Sequence, residues 1–184
     1  MNHHDMTRNM VLAALFAALT AIGAFLQIPT GTVPITLQFL FTALAGLLLG
    51  RKWGAISQLL YVGIGLLGLP VFTQGGGIGY VLQPSFGFLL GLIPAAAVIG
   101  ALTARRTGYL TVLAAVLVGD LILYAVGVPY MYLILHVYMQ SAKTFPALLA
   151  TMLVYVPGDT LKIVVVTALA PVLRRTLVKA VPNL

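Results

Sequence analysis

An all-α integral membrane bundle of six spans, with one extra short helix on the outer side, is the fold class this sequence predicts. Three observations predict it. Hydrophobic residues make up 61% of the 184 and charged residues only 7%, against about 25% charged in a soluble domain. Apolar runs recur along the whole chain, and its length holds about six spans of ~20 residues with short loops. Basic residues fall between these runs, nearly all in alternate loops, as membrane orientation requires. The net charge of +7 is therefore an orientation signal and does not point to nucleic acid. Cysteine is absent, which excludes disulfides, thiolate metal sites and a cysteine nucleophile. The chain reads as one transmembrane domain, 1–184.

The first span runs from about Asn9 to Ile28, after a polar start ending in Arg8. A basic residue before an apolar run also resembles a signal peptide, but this run is long and more spans follow, so it reads as a retained helix. His3 and His4 stand in the polar start and read as inert. Ala13, Ala17 and Ala21 recur every four residues, with Ala14 and Ala18 beside them, and small residues at that spacing allow close helix approach. Spacing alone leaves two uses open: packing inside the bundle, or docking of a partner membrane subunit. Pro29 to Pro34 is a connector. Span two runs from Ile35 to Gly50 and opens with the polar Thr36 and Gln38. Arg51 and Lys52 end it, and span three runs from Trp53 to Leu69. Both are short, so they lie near the bilayer normal or are partly shielded by protein.

A glycine loop follows, with Gln74, Gly75, Gly76, Gly77, Gly79 and Tyr80, then Gln83, Pro84, Ser85 and Phe86. Its glycines free the backbone for positive φ and close approach. It lacks the Gly-Lys-Ser/Thr of a P-loop, and no strand precedes it as a dinucleotide fingerprint requires. A plain tight loop, or a source of N–H groups for a ligand oxygen, remain the two readings. Span four runs from Pro84 to Thr103, and Arg105 and Arg106 close it. Span five runs from Tyr109 to Val126 and carries Asp120, which has no evident local partner. Gly127-Val128-Pro129 is expected to break it. Tyr130 to Met139 then forms a short aromatic segment suited to a membrane interface, with His136 in it as an interfacial residue. From Phe145 the chain is apolar to Val178. One unbroken helix there would be about 50 Å long, beyond a ~30 Å hydrocarbon core. Pro157 and Gly158 offer the break, which leaves Phe145–Val156 as a short helix or kinked segment and Gly158–Leu173 as span six.

Sorting the basic residues orients the chain. Arg8, Arg51, Lys52, Arg105, Arg106, Arg174, Arg175 and Lys179 fall on one side; Lys143 alone falls on the other. The positive-inside rule makes the first side cytoplasmic, with both termini inside. The Pro29–Pro34 connector, the glycine loop and the Gly127–Thr144 connector then lie outside. Asp159 and Lys162 sit in the first turns of span six, near that outer surface. They are three residues apart, so one helix face carries both. Each charge would cost roughly 2.5–3.5 kcal/mol at mid-membrane, and pairing offsets part of this. The pair reads either as a structural ion pair or as polar contacts for a ligand. Span two, the glycine loop and the pair are expected to converge on one outward pocket.

Enzyme motifs are absent. Ser85 stands in Pro-Ser-Phe-Gly and not in a Gly-x-Ser-Gly setting, no His-Glu-x-x-His zinc motif exists, and the sequence contains no glutamate. No ATP-binding motif exists either. An ion-coupled carrier, with Asp120 or Asp159 as its ion site, stays open on residue chemistry.

Five stretches in order resemble one family: Gly31-Thr32-Val33-Pro34-Ile35-Thr36-Leu37-Gln38, Gly68-Leu69-Pro70-Val71-Phe72, Gly75-Gly76-Gly77-Ile78-Gly79-Tyr80, Pro84-Ser85-Phe86-Gly87-Phe88-Leu89-Leu90-Gly91 and Pro157-Gly158-Asp159-Thr160-Leu161-Lys162. Together they resemble the BioY family, the biotin-specific substrate-binding S components of energy-coupling factor (ECF) vitamin transporters. The resemblance implies a six-helix S-component fold, biotin as transported ligand with no cofactor, and no enzymatic activity. It implies residence in the cell membrane beside a transmembrane coupling protein and two cytoplasmic ATPases. It assigns ligand contacts to Asp159 and Lys162, and docking of the coupling protein to the Ala13, Ala17, Ala21 face. An S component for a different vitamin, or a solo carrier, are the rival readings. Biotin carries a ureido group with two N–H donors and one carbonyl acceptor. Asp159 can accept, Lys162 can donate, and Gln38, Gln74 or Gln83 can do either. Its carboxylate suits glycine-loop N–H groups, Gly77 among them, or the Ser85 hydroxyl, and its aliphatic chain suits Phe72, Tyr80 and Phe86.

Overall fold

The computed structural model describes residues 3–30 and 33–180. Gly31 and Thr32 of the first motif, and the side chains of His3, His4, Arg175 and Lys179, lie outside the described residues. The architecture is helical. In chain order it comprises α1 (His3–Phe25), a two-residue hairpin of β1 (Gln27–Ile28) and β2 (Ile35–Thr36), α2 (Gln38–Leu66), a 3-10 turn (Ile78–Leu82), α3 (Phe86–Leu102), α4 (Tyr109–Leu133), α5 (Phe145–Met152) and α6 (Val156–Ala180). On either side of the connector a small antiparallel ladder pairs Gln27 with Thr36 and Ile28 with Ile35.

Helix α2 is two helices. A straight helix would hold Gln38 and Tyr61 about 35 Å apart, yet Gln38 Nε2 lies 2.8 Å from the Tyr61 hydroxyl. The reversal occurs at Gly50, whose φ of 75° and ψ of −176° belong to a region essentially reserved for glycine. The arms 38–49 and 51–66 therefore run antiparallel, as the two short spans expected from the sequence. Counting them separately, α1, both arms, α3, α4 and α6 form the six-helix bundle. Helices Asp5–Phe25, Tyr109–Tyr138 and Val156–Arg174 are long and apolar enough to cross a membrane, and Phe86–Leu102 is a shorter apolar helix.

The bundle closes through small residues and buried hydroxyls. A Cβ on Gly46 would lie 2.5 Å from the Ala96 carbonyl oxygen, and one on Gly100 would lie 2.4 Å from Arg51 N. These contacts bring α3 against both arms of α2. Between α1 and α2, Thr20, Thr42, Ser57 and Gln58 are fully buried. Thr42 Oγ1 donates to Gln58 Oε1 at 2.9 Å across the two arms, and Gln58 Nε2 donates to Thr20 Oγ1 of α1 at 3.3 Å. With little hydrophobic driving force between helices in lipid, such packing and interhelical bonds do the joining.

Two expectations need correction. Gly127-Val128-Pro129 does not break α4: the helix runs to Leu133 and continues into a π turn, Ile134–Tyr138. Packing explains why, since a Cβ on Gly127 would lie 2.4 Å from the Phe88 ring, so α4 is clamped against α3 there. Neighbouring helices commonly let a membrane helix pass through proline. The chain leaves the helix only near Gln140, where φ is 51°. The last break also comes earlier than expected. Helix α5 ends at Met152 and α6 begins at Val156, so Pro157 serves in a first turn, where its missing N–H costs nothing.

The alanine stripe of α1 faces inward. Ala13 is 1% exposed and Ala17 4%, and Ala21 is packed against the core. Ala14 and Ala18, one position round the helix, are the exposed small residues. Ala13 and Ala17 thus serve the close-packing use of the repeat, and Ala21 is partly buried beside them.

Candidate functional site

The first turns of α6 bring the charged pair against the start of α2. Gly158 makes this possible, since a Cβ there would already touch Ile35 Cγ2 at 3.3 Å. Lys162 Nζ lies 2.5 Å from Asp159 Oδ1 and donates to the Thr36 carbonyl oxygen at 3.3 Å. The Tyr124 hydroxyl of α4 donates to the other oxygen, Asp159 Oδ2. Asp159 is 6% exposed and Lys162 7%. Two buried charges are tolerable when paired and hydrogen-bonded, as these are.

This cluster forms one wall of a cavity enclosing about 620 Å³ of empty space, its mouth included. Gln38, Thr36, Tyr80, Thr73 and Ser85 add polar groups; Val33, Phe39, Phe88, Leu89, Leu92, Leu123 and Met152 supply the apolar lining. The Tyr80 hydroxyl lies 2.8 Å from Thr73 Oγ1 and 3.3 Å from Ser85 Oγ. At the turn of the β1–β2 hairpin, the Tyr155 hydroxyl is shared between the Val33 carbonyl oxygen at 2.5 Å and Thr30 Oγ1 at 2.9 Å. The chemistry on offer is a set of hydrogen bonds of both senses, beside a balanced ion pair and within an apolar shell. It suits a small molecule with a compact polar head and an aliphatic part.

Of the residues singled out from sequence, Asp159, Lys162, Gln38, Tyr80 and Ser85 line this cavity. Gln74 and Gln83 are exposed and lie outside the lining. Gly77 is turned to structure: its N–H donates to the Gly65 carbonyl oxygen at 2.7 Å. Gly75 N–H likewise goes to the Phe72 carbonyl oxygen at 3.2 Å. The glycine loop thus spends these donors on its own backbone and on the end of α2, and only Thr73 and Tyr80, at its ends, reach the cavity. Phe72 and Phe86 are buried behind the wall, with Phe72 packed 4.6 Å from the Tyr80 ring and Phe86 6.4 Å from it.

Tyr124, Tyr155, Thr73, Phe88 and Met152 are cavity residues that sequence reasoning missed. The spacing of Asp120 and Tyr124, one helical turn apart, was the available signal for α4. Asp120 itself does not line the cavity. Among the described residues its buried Oδ1 has no hydrogen-bond partner, and it lies within electrostatic reach of Asp159 and Lys162.

Comparison with known proteins bears directly on this geometry. The sequence model described as the BioY family matches residues 1–179. A "Probable biotin transporter BioY" of Lysinibacillus sphaericus is 54% identical over 141 residues, covering 76% of this chain and 72% of that protein. The "Biotin transporter BioY" of Thermotoga maritima is 35% identical over 164 residues, covering 89% of this chain and 94% of that protein. A crystal structure of the S-component for biotin from an ECF-type ABC transporter superposes with a TM-score of 0.83 at 29% identity, covering 95% of both chains.

Proposed function

This chain belongs to the BioY family, and from that membership and the cavity together we propose that it captures biotin as the membrane S component of an ECF-type transporter. The observation that carries the site assignment is the joining of Asp159, Lys162 and Tyr124 in the wall of an apolar cavity beside Gln38. A ureido ring needs acceptors for its N–H groups and a donor for its carbonyl. The Asp159 carboxylate keeps unused lone pairs for the former, and Lys162 or the Gln38 amide supplies the latter. The hydroxyls of Thr73, Tyr80 and Ser85 are suited to the ligand carboxylate, and Phe88, Leu89 and Leu92 to its aliphatic chain. Polar groups of an empty pocket left unmatched by a wrong ligand cost about 1–3 kcal/mol each, which is the basis of selectivity.

The protein acts without catalysis in this reading, and transport needs a transmembrane coupling protein and two ATPases, since the chain has no ATP-binding motif. The cell membrane is its site, with the cavity facing out and both termini in the cytoplasm. Charge supports that orientation. The first arm of α2, α3 and α6 each start at the cavity and run toward Arg51, Arg105 and Arg174 respectively. Arg174 Nη1 donates to the Thr103 carbonyl oxygen at 3.4 Å, so the ends of α3 and α6 meet. Calorimetric titration of the purified chain with biotin tests the ligand; saturable binding is expected, and no binding at micromolar biotin overturns the assignment.

A further inference from the structure

Gln38 lines the cavity, and both ends of its amide are tied by other residues. Tyr61 is 1% exposed and does not reach the cavity. Its hydroxyl lies 3.1 Å from the Val71 carbonyl oxygen and 2.8 Å from Gln38 Nε2. A carbonyl oxygen only accepts, so the one phenolic proton goes to Val71. The phenolic oxygen then has only lone pairs for Gln38, and the amide nitrogen must face it. At the other end, Thr36 Oγ1 accepts the Gln38 backbone N–H at 3.4 Å and donates to Gln38 Oε1 at 2.9 Å. Tyr61 sets the amide orientation, and the Thr36 hydroxyl, which can donate as well as accept, ties the oxygen end that this orientation presents to it. Each uses half of one end, so one amide N–H and one Oε1 lone pair remain. A side chain so held offers a donor and an acceptor in fixed order, the complement of the N–H and C=O edge of a cyclic urea.

We propose that Tyr61 and Thr36 are positioning residues that fix the donor–acceptor sense of the Gln38 amide toward the ligand. The proposal rests on the biotin reading and adds to it the element that sets polarity at one edge of the ureido ring. Without the anchors the amide turns over, and its nitrogen and oxygen exchange places.

Calorimetry with biotin on the full chain tests this through double-mutant cycles. Tyr61→Phe keeps the ring that packs 5.6 Å from Phe72 and removes only the hydroxyl. Thr36→Val acts on the other end of the amide at a half-buried position, and serves where Tyr61→Phe fails to fold. Each is expected to weaken biotin about fivefold, the size of one ordinary hydrogen bond. In a Gln38→Leu background the same changes are expected to cost less than about twofold further, because the group they act through is gone. A structural role for Tyr61 or Thr36 predicts equal losses in both backgrounds, and that result overturns the proposal, as does wild-type affinity in both single variants. Wild-type protein that binds no biotin overturns the biotin reading itself, whereas wild-type binding with additive losses overturns only the positioning role.

Discussion

At the scale of single residues, the site turns on how three side chains share two charges. Removing one partner of a buried pair leaves the other uncompensated, at about 3–5 kcal/mol. Asp159→Asn and Lys162→Met are therefore each expected to lose at least about tenfold in biotin affinity, or ~1.4 kcal/mol. Lys162→Met should also lower the thermal midpoint, because Asp159 keeps only its Tyr124 bond. Tyr124→Phe removes a hydrogen bond to a charged group, commonly about 1.5–3 kcal/mol; calorimetry should show a loss of about tenfold or more with the fold intact. Normal binding in all three variants would make the cluster a purely structural one. Asp120→Asn carries the opposite expectation. It supplies a neutral group where a carboxylate oxygen is buried without a partner near Asp159. The thermal midpoint should hold or rise, and biotin affinity should stay within about twofold. Asp159, Lys162 and Gln38 were legible in the sequence because charge and amide groups stand out in an apolar run. Tyr124 and Tyr155 were not, because a tyrosine in an apolar stretch has several ordinary uses, and only the packing of α4 against α6 and of the turn after α5 against Val33 and Thr30 selects one.

At the scale of elements, the hairpin of α2 is the piece on which the others are built. A Cβ on Gly50 would meet nothing within 4 Å, so space is not the constraint; its φ of 75° is. Gly50→Ala should cost about 1–3 kcal/mol through backbone strain alone. Gly100→Ala should cost a similar ~1–3 kcal/mol for a different reason, because its methyl would meet the rigid backbone at Arg51. Thermal unfolding in detergent checks both, and a midpoint unchanged from wild type in either variant contradicts its mechanism. The short spans two and three, the loop at 67–77 and the separate α5 were readable, since hydropathy, glycine and charge punctuate them. The continuation of α4 through Pro129 was not. Local chemistry at Gly127-Val128-Pro129 favours a break, and only the seat of Gly127 on Phe88, in a different helix, holds α4 together. The same limit applied to α1, where an alanine repeat marks a close contact without saying which face meets the bundle.

At the scale of the whole molecule, α1 has two kinds of alanine position, one turned to the bundle and one turned away. Ala13 and Ala17 are buried against the bundle, whereas Ala14 and Ala18 are exposed between Val11, Leu15 and Ile22. A large side chain at the two kinds of position should therefore fail in different ways. Ala17→Trp overfills the interior and is expected to lower the thermal midpoint and biotin affinity together, since overpacking costs about 1–3 kcal/mol or more. Ala18→Trp points away from the bundle and is expected to leave biotin binding and stability near wild type. If α1 presents its outer face to the coupling protein, Ala18→Trp alone should abolish ATP-dependent biotin uptake in vesicles that contain the partner proteins. Uptake that persists in Ala18→Trp would place the docking surface elsewhere on the bundle. Uptake driven by an ion gradient with no partner present would instead favour a solo carrier, and would return Asp120 to the mechanism.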